Sequence, residues 1–433
     1  MRKRLLKSAL TILSLSLISS HASAVTNISI QVGEMQGENL HARNVKLDYK
    51  LDRQFSVKGQ LPSADGKWSE ASLACGSLTI SKSRELRCDQ GKVASERAKG
   101  DFTLLLKSTP TLLAADLALR GFSFSDVTGL HAGEKVSGKL RLDADKTKEG
   151  WRWQTALDWT DGEVFWQPFY FAHGGHRLKA SGLLNPELVR VDQAVVKLKQ
   201  VGDLRFNGTY LRTTKKLDTL TADASDLDLA MLYPLMLKPL LEKTALNKLE
   251  MAGRADFSVD IQQGEPRAFR LDLKDADIDD DEGKFGLYKL NATIPWDYDE
   301  PKQVRLAFAG GHLLKLPLGQ ADLVAEVNRY AVTAPSLRMP VLDGALQLND
   351  VSAAWVGNQW HWHLRAALEP VTLSEFSHAL SWPRLEGKAS ASIPLVTYTG
   401  GKLSTDGALG FNLFNGSLAV TNLSMQDPMG AAP

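Results

Sequence analysis

Along most of this chain apolar and polar residues alternate one by one, in short segments closed by Gly, Asn or Asp. In Lys139-Leu140-Arg141-Leu142-Asp143-Ala144 the apolar members are Leu140, Leu142 and Ala144, and the charges stand between them. The alternation recurs at Leu271/Leu273, Leu290/Ala292/Ile294, Leu306/Phe308, Trp360/Trp362/Leu364 and Leu409/Phe411/Leu413. Strand side chains point to two faces in turn, so each segment predicts a β-strand with one dry face and one wet face. The expected fold is mainly β: elongated, repeated antiparallel sheet modules with a few short helices.

One stretch has a different period. Leu229, Leu232, Tyr233, Met236, Leu237, Leu240 and Leu241 recur at helical spacing, and the pattern ends near Leu246. Asp226 or Asp228 can cap its start, while Pro234 and Pro239 must bend or break it. This predicts a kinked amphipathic helix acting as a lid, with Leu232, Met236 and Leu240 on the apolar stripe and Lys238, Glu242 and Lys243 outward. An ordinary core-covering helix is the plainer alternative.

A weak internal repeat relates Val136-Ser137-Gly138-Lys139-Leu140 to Met251-Ala252-Gly253-Arg254-Ala255 and Leu385-Glu386-Gly387-Lys388-Ala389. Each copy follows a lid-like segment, at 122–132, 227–249 and 373–384. The implied modules are 25–121, which holds both cysteines, 122–226, the helix-led 227–372, and the start of a further one at 373–433. An amphipathic sheet must cover its dry face with helices, another sheet or a ligand, and helices are nearly absent. Closure as a sandwich or barrel, and a long groove with an apolar interior, both remain open on patterning alone.

The N-terminus changes the setting. Arg2, Lys3, Arg4 and Lys7 precede an apolar run from Ala9 to Ile18 and the triplet Ala22-Ser23-Ala24, the pattern of a secretory signal peptide spanning 1–24. The apolar run is shorter than the about 20 residues of a membrane-spanning helix, so cleavage after Ala24 is expected, with an uncleaved anchor as the alternative. Without the leader, 47 of the 51 Lys and Arg face 50 Asp and Glu, a net charge of −3 that offers no general attraction to nucleic acid. In an oxidising compartment the two cysteines, Cys75 and Cys88, are expected to pair across a hairpin that turns near 81–84. Neither lies in a C-x-x-C arrangement, which points to a structural bond.

Candidate chemistry is sparse. The acidic run from Asp275 to Glu282 fails as an EF-hand: a loop starting at Asp277 has Glu282 where Gly is needed and Tyr288 where a carboxylate is needed. It reads as a solvated turn. His361 and His363 share one strand face without a third ligand, and His173 and His176 sit in a Gly-rich turn. No nucleophile elbow, P-loop or dinucleotide fingerprint occurs, so no catalytic residue, metal or cofactor is expected. The aromatic group Trp151, Trp153, Trp159, Phe165, Trp166, Phe169, Tyr170 and Phe171 reads as packed core, with carbohydrate stacking or an acyl-chain lining as alternatives.

Together the Cys75 to Cys88 hairpin, the helix-then-strand passage from Leu227 to Val259 and the ending from Leu385 to Asp427 resemble the AsmA-like envelope proteins. The likeness is specifically to the YdbH-type branch named for dicarboxylate transport, within the bridge-like phospholipid-transfer superfamily, and it covers most of the mature chain. The resemblance implies a taco-shaped β-groove in the periplasm that carries phospholipid or another acyl-chain lipid between inner and outer membranes. The lining is then expected from Leu140, Leu142, Leu271, Leu273, Leu290, Ile294, Phe308, Trp360, Trp362, Leu409, Phe411 and Leu413. Many relatives keep an N-terminal anchor and continue with further groove, so this chain is expected to be short at its C-terminus or to meet an envelope protein partner there. The rival reading is a structural or assembly β-protein that docks other envelope proteins. An enzyme acting on envelope polymers is the third.

Overall fold

The alternating segments fold as strands, and each position in the sheet pairs with the next position along the chain. A computed structural model describes residues 26–37, 41–63, 66–244, 246–414, 416–421 and 424–426; the leader at 1–24 lies outside the described residues. Its 29 strands form one antiparallel sheet, mainly β as the alternation predicts. Five pairs of strands are the two halves of one broken position, for example Phe169–Phe171 with His176–Leu184, and Lys402–Asp406 with Leu409–Leu413. The strands therefore fill 24 positions, a sheet of about 110 Å measured across the strands. Among the described strands the first, Asn27–Gln36, pairs only with the second, so no barrel closes. The chain exposes 28229 Å², whereas a compact monomer of 47.5 kDa would expose about 16,000 Å². One open, curved sheet replaces the sandwich and barrel alternatives.

A line of β-bulges creases the sheet. Asn44, Gln90, Lys135, Asp226, Asp275 and Lys289 all have positive φ, and register shifts lie beside them on six strands spread along the sheet. Where one strand bulges, glycine on its neighbour admits the close approach: a Cβ on Gly162 would fall 2.5 Å from Val136 Cα, and one on Gly253 2.6 Å from Ala276 Cα. A bulge bends its strand and raises the local twist, so bulges repeated along the sheet bend it lengthwise into a groove.

The expected helix starts where its cap is: the Met231 amide donates to Asp228 Oδ1 at 3.2 Å. We label the helical stretch 229–241 α1 and the second helix, Leu373–Ala379, α2. The prolines do not break α1. They widen its middle into a π-turn, Tyr233–Leu237, in which the Lys238 amide reaches Tyr233 O five residues back. That wider turn adds a residue and shifts the helix phase. Leu229 and Tyr233 are buried, Leu232 packs against both neighbouring apolar clusters, and Met236 is half-buried. Leu240, expected on the same stripe, is instead 61% exposed and joins neither cluster, and the helix stops at Leu241 rather than Leu246. The Tyr233 hydroxyl donates to Leu246 O at 2.7 Å and accepts from the Leu249 amide at 3.0 Å, which ties the end of the helix to the following strand.

Both helices lie on the apolar side of the curl. The π-turn of α1 touches the half-strand Phe169–Phe171, and α2 touches Leu316–Leu318; each helix thus reaches back three strand positions. Of the three lid-like segments, 122–132 holds no helix: it completes one strand, turns at 126–130 and begins the next. The sheet runs through the boundaries at 121/122 and 226/227, which fall inside the strands Leu112–Ser125 and Lys216–Asp228.

Candidate functional site: an open apolar groove

Register turns scattered leucines into a continuous row. Leu78 faces Cys88, and the line of directly opposed residues continues through Leu104, Leu117, Leu140, Leu157 and Leu178. From there it passes through Val196, Leu204, Ala224, Phe257 and Leu271 to Ile294. Thirteen strands contribute and none places a polar residue in the line. Beside it runs a second row, Leu106, Ala115, Leu142, Thr155, Ala180, Ala194 and Phe206, interrupted only by the threonine. Further along, Val327, Val332, Ala353, Trp362, Tyr398 and Leu403 form a third.

The opposite face of the same strands is charged. Arg87, Asp116, Arg141, Lys179, Arg205, Asp223 and Arg270 stand one residue away from the first row. Their charges pair locally, as in Arg141 with Asp143 at 3.0 Å and Arg177 with Asp158 at 3.2 Å. Depressions on this face are framed by both signs of charge, and exposed pairs of this kind contribute little individually.

The expected lining residues fall into two groups. Leu140, Leu142, Leu271 and Ile294 lie in the rows, as do Trp362 and Phe411, the latter in the line Leu346, Leu368, Ala391, Phe411. Leu409 and Leu413 flank Phe411 two residues away on the same face, and Trp360 stands opposite Trp355 near the rim. Leu273, Leu290 and Phe308 share that face but are buried in a cluster with Leu229 of α1, so they form covered floor rather than open lining. Sequence reasoning missed Leu104, Leu117, Leu157 and Leu178. Alternation marks such residues only within a strand, and register between strands is what assembles them.

The two cysteines are part of this floor. Cys75 and Cys88 are bonded, with Cα atoms 5.4 Å apart, and are packed by Tyr49, Phe55, Leu86, Phe102 and Leu104. The bulge at Gln90 lets both thiols share one face although Cys75 stands opposite Gly91 and Cys88 opposite Leu78.

Polar groups near the groove are engaged by the fold. The acidic run is not the solvated turn expected: Asp275 to Asp280 lie in the strand Glu265–Asp280, where Asp280 is buried and Asp279 accepts from Tyr288 at 2.8 Å. Only at 281–284 does the chain turn, with Glu282 between Lys248 and Lys284, which hold its carboxyl down to about 2. His361 stands opposite Ala354 and His363 opposite Ser352, both one residue away from the tryptophans of the apolar face. The predicted aromatic core is real around Trp159, which meets Phe171 and His176, whereas Trp166 is exposed.

His176 is buried there with its ring fixed: Nδ1 accepts from the Lys199 amide at 3.1 Å and Nε2–H donates to His173 O at 3.1 Å. Burial lowers its pKa below the usual 6.5. A base whose folded pKa is lowered stabilises the fold above its unfolded pKa, and that contribution is lost as pH falls through 6.5 toward the folded value. Between about pH 7.5 and 5 the wild type should therefore lose more thermal stability than His176→Asn, which cannot titrate. Parallel pH profiles of the two melting curves would remove His176 as the cause.

No family model matches the chain, and no curated protein or solved structure matches it either.

Proposed function

We propose that the protein is a lipid-carrying groove of the cell envelope, holding the acyl chains of phospholipid or a similar lipid in the periplasm between two membranes. The observation that supports this reading best is an apolar row that the protein itself leaves uncovered. Leu140 and Leu157, directly opposed in the middle of the row, are 40% and 36% exposed, with no polar residue in line on either side. Contiguous apolar surface in water costs about 25 cal/mol per Å², and an extended hydrocarbon chain is the ligand whose burial recovers it without requiring a charge inside. The resemblance to AsmA-like proteins supports the same cargo. The reading assigns the protein no catalytic step. Chain purified without detergent should release phospholipid on organic extraction and show lipid-bound masses in native mass spectrometry. Lipid-free protein that also takes up no added phospholipid would sink the proposal.

A docking role has one observation in its favour. The edge strand Asn27–Gln36 is paired on one side only among the described residues and lacks the Lys and Pro that commonly blunt such edges. Strand addition there is compatible with a lipid-filled groove.

A further inference from the structure

The rim made by successive hairpin tips changes character along the molecule. Tips at 81–84, 147–150 and 212–215 are built from Ser, Thr, Lys, Arg and Glu with one glycine. Toward the other end, the tips at 329–330, 357–358 and 400–401 are flanked by Tyr330, Trp355, Val356, Trp360 and Tyr398. Neighbouring tips are joined, since the Trp355 amide donates to Tyr330 O at 2.9 Å. The Trp355 and Trp360 rings meet edge to face at 5.3 Å, and Trp362 stacks on Tyr398 at 5.4 Å. Tyr330, Val356 and Trp360 are 55%, 59% and 50% exposed.

Scattered apolar residues on a surface need no explanation, but a contiguous set at consecutive tips does. Charge narrows the partner. Residues 327–334, 351–364 and 396–404 hold Arg329 and Lys402 and no carboxylate. The adjoining tip at 298–301 bears Asp299 and Glu300, the latter paired with Lys302 at 2.7 Å, and its Tyr298 carbonyl accepts from Arg329 at 3.0 Å. Aromatic side chains with an apolar body and a polar edge settle at the bilayer–water interface, and flanking cations add attraction to anionic headgroups. The patch is also continuous with the groove face, because the opposed pair Trp362 and Tyr398 stands two residues rimward of the opposed pair Leu364 and Val396.

We infer that this aromatic rim docks on a lipid bilayer bearing anionic headgroups, placing the groove mouth at the level where acyl chains begin. Docking stands on the rim alone; the passage of a chain over Trp362 and Tyr398 into the groove rests on the lipid-carrying reading above. Flotation of the full chain with phosphatidylcholine vesicles, with and without phosphatidylglycerol, tests it. The wild type should float with the anionic vesicles and less with the neutral ones. The triple change Tyr330→Ser, Trp355→Ser, Val356→Ser should cut flotation roughly tenfold or more, while Trp166→Ser, at the opposite rim, should float like wild type. If the triple variant does not fold, Val356→Asp alone should show the loss in the same direction. A groove variant emptied of lipid should still float, which separates failure of docking from failure of carriage. Undiminished flotation of the rim variants, equal loss in Trp166→Ser, or a wild type that floats with neither vesicle would overturn the inference, the last leaving the patch to a glycan or a protein.

Discussion

Protein in which Leu140 and Leu157 are both replaced by arginine should come out of a detergent-free purification with at least about tenfold less bound lipid, its sheet intact. Both residues lie in the middle of the uninterrupted row, face one another across adjacent strands, and are partly exposed, so the added side chains meet space rather than packed core. Placing an arginine among acyl chains costs roughly 2.5–3.5 kcal/mol by membrane-insertion scales, and 1.4 kcal/mol is a factor of ten. Snorkelling of the guanidinium to the rim recovers part of that cost, which is why tenfold rather than a product of two full penalties is expected. The control is one residue away: Ala156→Arg sits on the charged face of the same strand, opposite Arg141, and should leave lipid content unchanged. Circular dichroism of all three proteins establishes that the sheet survives. If the double variant carries lipid at the wild-type level, or Ala156→Arg loses as much, the row is not the binding surface.

The second large effect belongs to the disulfide. Replacing Cys75 and Cys88 together by alanine should lower stability by about 3 kcal/mol on the chain-entropy account of a short closed loop. Both sulfurs are buried against Phe55, Phe102 and Leu104, so the substitution also leaves a small void in the floor at that end of the groove. A lower denaturation midpoint for the variant, and a similar shift of the wild type under reductant, are the expected readings. Thiol titration of unfolded, unreduced protein should find none; two free thiols would show that the pair does not form in solution.

How far these features could be read in advance depended on their range. Alternation within one strand exposed the dry faces of Leu140/Leu142 and Leu271/Leu273, and the spacing of Cys75 and Cys88 suited a hairpin. The cap at Asp228 and the disturbance at Pro234 and Pro239 were likewise local. Register was not legible. In Leu104-Leu105-Leu106 the sequence does not say which leucines face the groove, and pairing decides it: Leu104 and Leu106 join the apolar rows while Leu105 stands opposite Arg87 and Asp116. The crease escaped for the same reason. Its bulges fall on Gln90, Lys135 and Asp275, residue types that do not announce positive φ as glycine does. Leu240 was misplaced because the π-turn has no signal beyond the prolines that provoke it.

Among the described residues, strand pairing that runs from each sheet position only to the adjoining one gives this molecule the physics of a ladder. Cooperativity along it decays from rung to rung, so folding can begin at any hairpin and zip outward, and damage at one rung remains near it. Length becomes a free parameter as well. Excising one hairpin from the meander would shorten the trough by about 10 Å and leave the pairing on either side able to close up, with an intact face pattern because two strands restore the alternation of direction. The span such a trough can bridge is then set by counting rungs, as a ruler is set by its divisions.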